Sequence, residues 1–157
     1  MKFQKITLAA LRITMGWFYF YAGITKVLDP KWTSAGYLAG AKTFTGFYTW
    51  LAQPGIIPYI DFMNKWGLTL LGISLILGLG VRLASLLGAL LMALYYLVIL
   101  DFPYPNAHAF IVDEHIIYIG VLLFFSAVQA GKVWGLYDWC AGLPICAKFP
   151  KLRNLIG

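Results

Sequence analysis

The residues best equipped for chemistry in this 157-residue sequence lie in one short stretch, Asp113-Glu114-His115, with Tyr118 one helical turn further on. Glu114 and Tyr118 are spaced i, i+4, and His115 and Tyr118 i, i+3, so all three share one broad face of a helix. The preceding segment, Asp101-Phe-Pro-Tyr-Pro-Asn-Ala-His108, adds a second histidine behind a double-proline turn. Tyr95 and Tyr96 close the apolar run before it, and Lys26 and Asp29 close the first apolar run of the chain. Histidine, carboxylate, tyrosine and lysine between helix ends are the groups a quinone site needs. The ring's carbonyl oxygens accept hydrogen bonds, and reduction is coupled to proton delivery by groups titrating near neutral pH. Glu114, His115 and Tyr118 are therefore candidate catalytic residues, and Lys26, Asp29, Tyr96 and His108 candidate binding residues. The plainer alternative is that Asp113 and Glu114 complement the positive end of a helix dipole, while Arg12 and Lys26 snorkel toward headgroups.

Other chemistries find less in the sequence. His108 and His115 stand seven residues apart across a loop-to-helix junction, a poor metal pair. Haem held between helices needs histidines deep in apolar runs, and neither histidine lies there, so no metal or haem is expected. Cys140 and Cys146, separated by five residues, form neither a CxxC pair nor a haem-attachment motif. Structural thiols are the default for them, with a redox or crosslinking role left open.

The elements that must position these groups are membrane elements. The chain is 61% apolar, 17% aromatic and only 11% charged, with a mean hydropathy of +0.78, and a soluble domain needs more polar surface than that. Its net charge of +6 is spread singly at the ends of apolar runs, where anionic headgroups rather than nucleic acid are the partner. Four runs reach about the 20 residues that a bilayer core requires, at about 6–28, 62–80, 83–100 and 110–129. The first opens on Lys2 and Lys5 as a secretory leader would, and it is read here as a span. Only Val81 and Arg82 separate the second and third runs, which predicts an antiparallel hairpin. Small residues (Gly67, Gly72, Ser74 and Gly78, then Ser85, Gly88 and Ala89) offer faces for close helix packing in lipid.

The expected fold is all-α: a four-helix transmembrane bundle in one domain, 1–157, in the plasma membrane. The loop at 30–60 is too polar and too rich in glycine to span, and one or two short helices lying in the interface are predicted there. A tail at 132–157, aromatic at Trp134, Tyr137 and Trp139 and then basic, is expected on the cytoplasmic membrane surface. If the termini share a side, that side holds Lys2, Lys5, Arg12, Arg82, Lys132, Lys148, Lys151 and Arg153, while Lys26, Lys31, Lys42 and Lys65 fall opposite with five of the six acids. The positive-inside rule then puts both termini in the cytoplasm.

The first run, Arg12-Ile-Thr-Met-Gly16 through Tyr21-Ala-Gly23-Ile-Thr-Lys26, resembles the opening of the DoxX family of four-helix membrane proteins. Trp32-Thr-Ser-Ala-Gly-Tyr-Leu38, Val112-Asp-Glu-His115-Ile-Ile-Tyr118 and Gly131-Lys-Val-Trp-Gly135-Leu-Tyr-Asp138 look more specifically like its DoxD branch. The resemblance implies a membrane subunit of a thiosulfate:quinone oxidoreductase type of system, with membrane quinone as electron acceptor. Arg12, Gly16, Gly23, Lys26 and Asp113–Glu114–His115 are the matching positions, which adds Arg12 to the candidate binding residues. It also implies partner subunits or a homo-oligomer. The alternative from another class is a structural, non-catalytic subunit that packs by its glycine faces against a larger membrane complex.

Overall fold

Prolines, glycines and one capping carboxylate decide where this chain changes direction. The computed structural model describes residues 2–142, and among them it contains seven α-helices, one 3-10 turn and no strand. Helix α1 (Lys2–Leu28) stops before Asp29-Pro30, because a residue preceding proline is pushed out of the helical region. Two short helices, α2 (Ala35–Ala39) and α3 (Thr45–Leu51), fill the expected interfacial loop. Next comes α4 (Ile57–Leu77), which ends on Gly78 at φ 68°. The chain turns through Gly80, at φ 70°, into α5 (Val81–Ile99). Left-handed φ at both positions is what glycine adopts without steric cost. Then follow α6 (Glu114–Ala127), the 3-10 turn Ala130–Lys132 and α7 (Tyr137–Ala141). Cys140 lies on α7, whereas Cys146 and the basic end of the predicted tail fall outside the described residues.

Helix boundaries depart from expectation by up to five residues, and α1 opens at Lys2 rather than at about 6. Helix α4 begins five residues before the predicted 62, because Pro58 sits in its first turn, where a missing N–H is tolerated. Helix α6 begins four residues after the predicted 110. There Ile111 takes φ 59° and the Val112 N–H bonds to the Phe110 carbonyl at 2.6 Å, a strained three-residue turn that no helix can pass through. Helices α4 and α5 are long and apolar enough to cross a membrane. Helix α1 is long enough, at 27 residues, but carries Lys2, Lys5, Arg12 and Lys26. The 14 residues of α6 extend about 21 Å, short of a bilayer core of about 30 Å.

The long helices pack as two antiparallel pairs, α1 with α4 and α5 with α6, while α4 and α5 touch less extensively although a tight turn joins them. The first pair is a backbone-to-backbone contact. A Cβ on Gly16 would meet the Ile76 amide nitrogen at 2.8 Å, one on Gly23 would meet Thr69 Oγ1 at 2.5 Å, and one on Gly72 would run into the backbone of Phe20. Seven residues up α1 correspond to seven residues back along α4, so a single register serves the whole length. In α5, Gly88 similarly admits Leu71 and Leu122. Of the small residues read from the sequence, Gly72, Gly78 and Gly88 thus close the chain's own bundle, while Gly67 faces open space. Outward, Trp17, Leu70, Leu87, Leu90 and Ile117 are each more than half exposed. A protein surrounded by water would not carry such large apolar patches on four helices; one surrounded by lipid does.

One end of the bundle is locked by Arg12. It is 1% exposed and does not snorkel: Nη1 donates to the carbonyls of Ala130 (2.6 Å) and Val133 (3.0 Å), and Nη2 to that of Trp134 (3.2 Å). Gln129 and Trp134, which flank this clamp, both hold left-handed backbone conformations at a cost of about 1–2 kcal/mol each. The guanidinium fork offsets that cost by satisfying the carbonyls that such a backbone exposes. Gly78 and Gly135 then pack Cα against Cα beside it.

Two substitutions check this account by thermal denaturation in detergent. Gly72→Ala, whose new methyl meets fixed backbone, should destabilise by about 2 kcal/mol, while Gly67→Ala, with open space before it, should leave the midpoint unchanged. Arg12→Lys, which keeps the charge and loses the planar fork, should cost about 3 kcal/mol.

Candidate functional site

At the opposite end of the bundle the two helix pairs diverge around a cavity of about 620 Å³. Each long helix contributes to its wall: Lys26 from α1, Asn64 from α4, Tyr95 from α5, and Glu114 and His115, with the capping Asp113, from α6. The interfacial segment supplies the roof through Trp32, Ser34 and Tyr37. That roof is tied down at several points. Asp61 Oδ1 accepts from both the Ser34 N–H (2.8 Å) and its hydroxyl (2.6 Å). The Tyr37 and Tyr48 hydroxyls donate to the carbonyls of Tyr95 (3.0 Å) and Leu94 (2.8 Å), and Thr43 donates to Leu100 (2.6 Å). Burial first, then the neighbouring Tyr48 and Asp113, pushes the Tyr37 phenol up to about 12, so it remains a donor throughout the physiological range.

Asp113 is the organising group. It is buried, and its Oδ1 caps α6 by accepting from the N–H groups of His115 (3.0 Å) and Ile116 (3.4 Å). Its Oδ2 lies 2.7 Å from His115 Nδ1. A carboxylate only accepts, so Nδ1 carries the hydrogen and Nε2 is left open. The turn before the cap is held by Tyr96, whose hydroxyl donates to the Ile111 carbonyl, and by the Ile111 N–H to Pro103 O at 2.9 Å.

Across the cavity, Lys26 Nζ donates to the Ala22 carbonyl (2.7 Å) and lies 5.5 Å from the centre of the Trp32 ring. Lys65 sits 5.4 Å from the same ring. Among the described residues neither ammonium has a carboxylate within ion-pairing distance, the ion pair there being that of His115 with Asp113. The cavity therefore sets one cationic group opposite an oriented imidazole, with the neutral Tyr95–Asn64 pair (hydroxyl to Oδ1, 2.6 Å) between them.

Of the residues singled out in the sequence, Lys26, Glu114 and His115 meet here. Tyr118 lies one turn away from the opening and packs on Phe18 and Tyr19, with ring centres at 5.1 and 6.2 Å. Tyr96 supports the loop, and Tyr95 takes the place in the wall. Asp29 is exposed and accepts from the Lys31 N–H (2.9 Å), and exposed His108 turns back on Asn106 (2.9 Å). Arg12 occupies the far end of the bundle. The lining that sequence reasoning missed is mostly neutral: Trp32, Tyr37, Asn64 and Tyr95. For Tyr95 a signal existed, since it falls three residues after Met92 and seven after Gly88, on the buried stripe of α5. Among the described residues, no group of three or more His, Cys, Asp or Glu is placed to hold a metal ion.

A family model described as DoxX matches residues 7–101. That stretch takes in α1 from Thr7 onward, all of α2 to α5 and the Lys26, Trp32, Asn64 and Tyr95 walls, and it ends before Asp113. No curated protein and no solved structure matches the chain.

If Asp113 both starts the helix and orients the ring, the two roles separate on substitution. Asp113→Asn, an equally good cap, should leave thermal stability within about 0.5 kcal/mol yet abolish the preference for hydrogen on Nδ1. The test is the 15N spectrum of the His115 imidazole in wild type and variant; identical tautomer populations would refute the orienting role. Asp113→Ala should in addition lose about 1 kcal/mol.

Proposed function

The chain belongs to the DoxX family of membrane proteins, and from that membership we propose that it is the quinone-binding membrane subunit of a redox system. Electrons pass from a reduced sulfur compound or thiol to membrane quinone, as the likeness of Trp32–Leu38 and Val112–Tyr118 to the DoxD branch suggests. One observation carries the reading. An imidazole fixed by a buried carboxylate and an ammonium without a carboxylate partner open into the same cavity, set between helix ends of a membrane protein.

Reduction of a quinone to the quinol takes up two electrons and two protons, and the sulfur donor is oxidised by the same two electrons. His115 suits the proton transfer. Its Nε2 picks up a proton from the exposed side, where Glu114 stands at the rim, and delivers it to a ring oxygen, while Asp113 stabilises the imidazolium in between. Lys26 suits the other carbonyl, as a cation placed where negative charge develops and as donor of the second proton, which it regains from water at the cavity mouth. The Asn64 amide nitrogen can donate to the ring and fix its orientation, Tyr37 bounds the site with its hydroxyl held on the Tyr95 carbonyl, and Trp32 offers a flat face.

In this reading α1, α4, α5 and α6 all cross the plasma membrane, the last with help from the turns at its ends. The Arg12 end, with both termini, faces the cytoplasm and the cavity faces outward, because Lys2, Lys5, Arg82 and Lys132 gather at the former. Partner subunits or further copies of the chain complete the enzyme.

Purification in mild detergent should yield quinone with the protein, identified by mass spectrometry. In the complex reconstituted with its partners, His115→Ala should lower quinone reduction on the order of a hundredfold while assembly stays intact. Full turnover in that variant would sink the proposal.

A further inference from the structure

Tyr95 and Asn64 line two spaces at once, the polar cavity on one side and the head of an apolar groove of about 310 Å³ between α4 and α5 on the other. Below it a second apolar hollow of about 390 Å³ continues along the same helices to Ser74 and Gly80, and shares Gly67, Leu87 and Leu91 with the first. From Asn64 to Ser74 the groove is about 15 Å long by helix rise.

Its cause lies in the packing. Helix α4 is drawn onto α1 by glycine contacts and α5 onto α6, so the hairpin partners splay. The roof residues Leu38 and Tyr48 close the top of the gap against Val98. Gly67 widens it, since nothing stands within 4 Å of where its Cβ would be. The groove is open sideways, where Leu87 and Leu90 face the surroundings. A polar cavity and a long, laterally open apolar channel that meet at one hydrogen-bonded pair match an amphiphile, with a polar ring at one end and a hydrocarbon chain at the other.

We infer that the groove between α4 and α5 holds the hydrocarbon tail of a lipid-soluble ligand whose ring lies in the Lys26–His115 cavity, and that the ligand enters sideways from the bilayer between these helices. This rests on the quinone reading of the cavity and adds what selects the ligand: tail length, read by Gly67, Leu87 and Leu91.

The test measures dissociation constants in detergent micelles by tryptophan quenching, with a decyl-tailed benzoquinone and with the same ring bearing only methyl groups. Two variants narrow the groove without touching the cavity: Gly67→Phe from α4, and Leu87→Trp from α5 at a position already exposed. The variant-to-wild-type ratio cancels partition of each probe into micelles. The expected result is on the order of tenfold weaker binding of the tailed probe and less than about twofold change for the methyl probe. Equal weakening of both probes, or no change in either, would overturn the tail site while leaving the quinone reading standing. Failure of both probes to bind the wild-type protein would overturn the two together. A dimer that the groove variants convert to monomer, seen by light scattering, would assign the groove to a second copy of the chain and overturn the inference as well.

Discussion

The contact between α1 and α4, backbone against backbone through Gly16, Gly23 and Gly72, is the constraint on which the other features depend. In lipid, burying apolar side chains against one another gains nothing over burying them in acyl chains, so helices pair where they can come closest. Three glycines at matching positions let α1 and α4 approach backbone to backbone, the most extensive helix pairing among the described residues. Because the register is fixed along the whole contact, Lys26 arrives beside Asn64 and Lys65, and Arg12 beside Gly78. The two ends of the bundle then acquire opposite characters. Around Arg12 the chain is closed, with guanidinium, carbonyls and two glycines in mutual contact. Around Lys26 the pairs diverge, and the interfacial helices roof the space instead of filling it.

This division explains which parts of the molecule were legible in the sequence. Apolar runs, their breaks at Pro30 and Gly78–Gly80, and the polar aromatic insertion between the first two long helices are local signals, and they place helices to within a few residues. The helix start at Glu114 was partly legible: Asp113 and Glu114 read as complements to a dipole, but the strained turn at Ile111 depends on Tyr96 and Pro103 and has no signature in its own residues. The same holds for the site. Charged residues stand out in an apolar sequence, so Lys26, Glu114 and His115 were found. Asn64 and Tyr95 do not stand out, and which of two adjacent tyrosines faces the cavity is a question of helix phase, about 100° per residue. Arg12 stood out for the same reason as Lys26, yet it bonds to carbonyls at the opposite end of the bundle, while Lys26 lines the cavity. Charge in an apolar run marks a residue with a buried partner; it does not say whether that partner is a ligand or the chain's own carbonyls.

Asp113 shows how structure and chemistry share one group. As a cap it satisfies N–H groups that would otherwise be stranded near the bilayer boundary, where an unpaired donor costs more than in water. Those same hydrogen bonds hold the carboxylate in place, with its second oxygen on His115 Nδ1. The imidazole is thus aimed by the start of the helix on which it sits. A histidine elsewhere on α6 would need a separate partner to choose its tautomer.

The hairpin turn at Gly78–Gly80 carries the last step of the argument. A tight turn usually brings its two helices together along their length, yet here α4 and α5 are each held more strongly by another helix. The connection therefore fixes direction and not proximity. A gap runs along both helices, and at the end far from the turn Tyr48, Leu38 and Val98 cover it and Tyr95 bridges it to Asn64. A bundle with four equal contacts would have no space at that end. Unequal glycine content between the pairs is what opens both the cavity and the groove below it, so the same few small residues that hold the helices together also determine where a ligand has room.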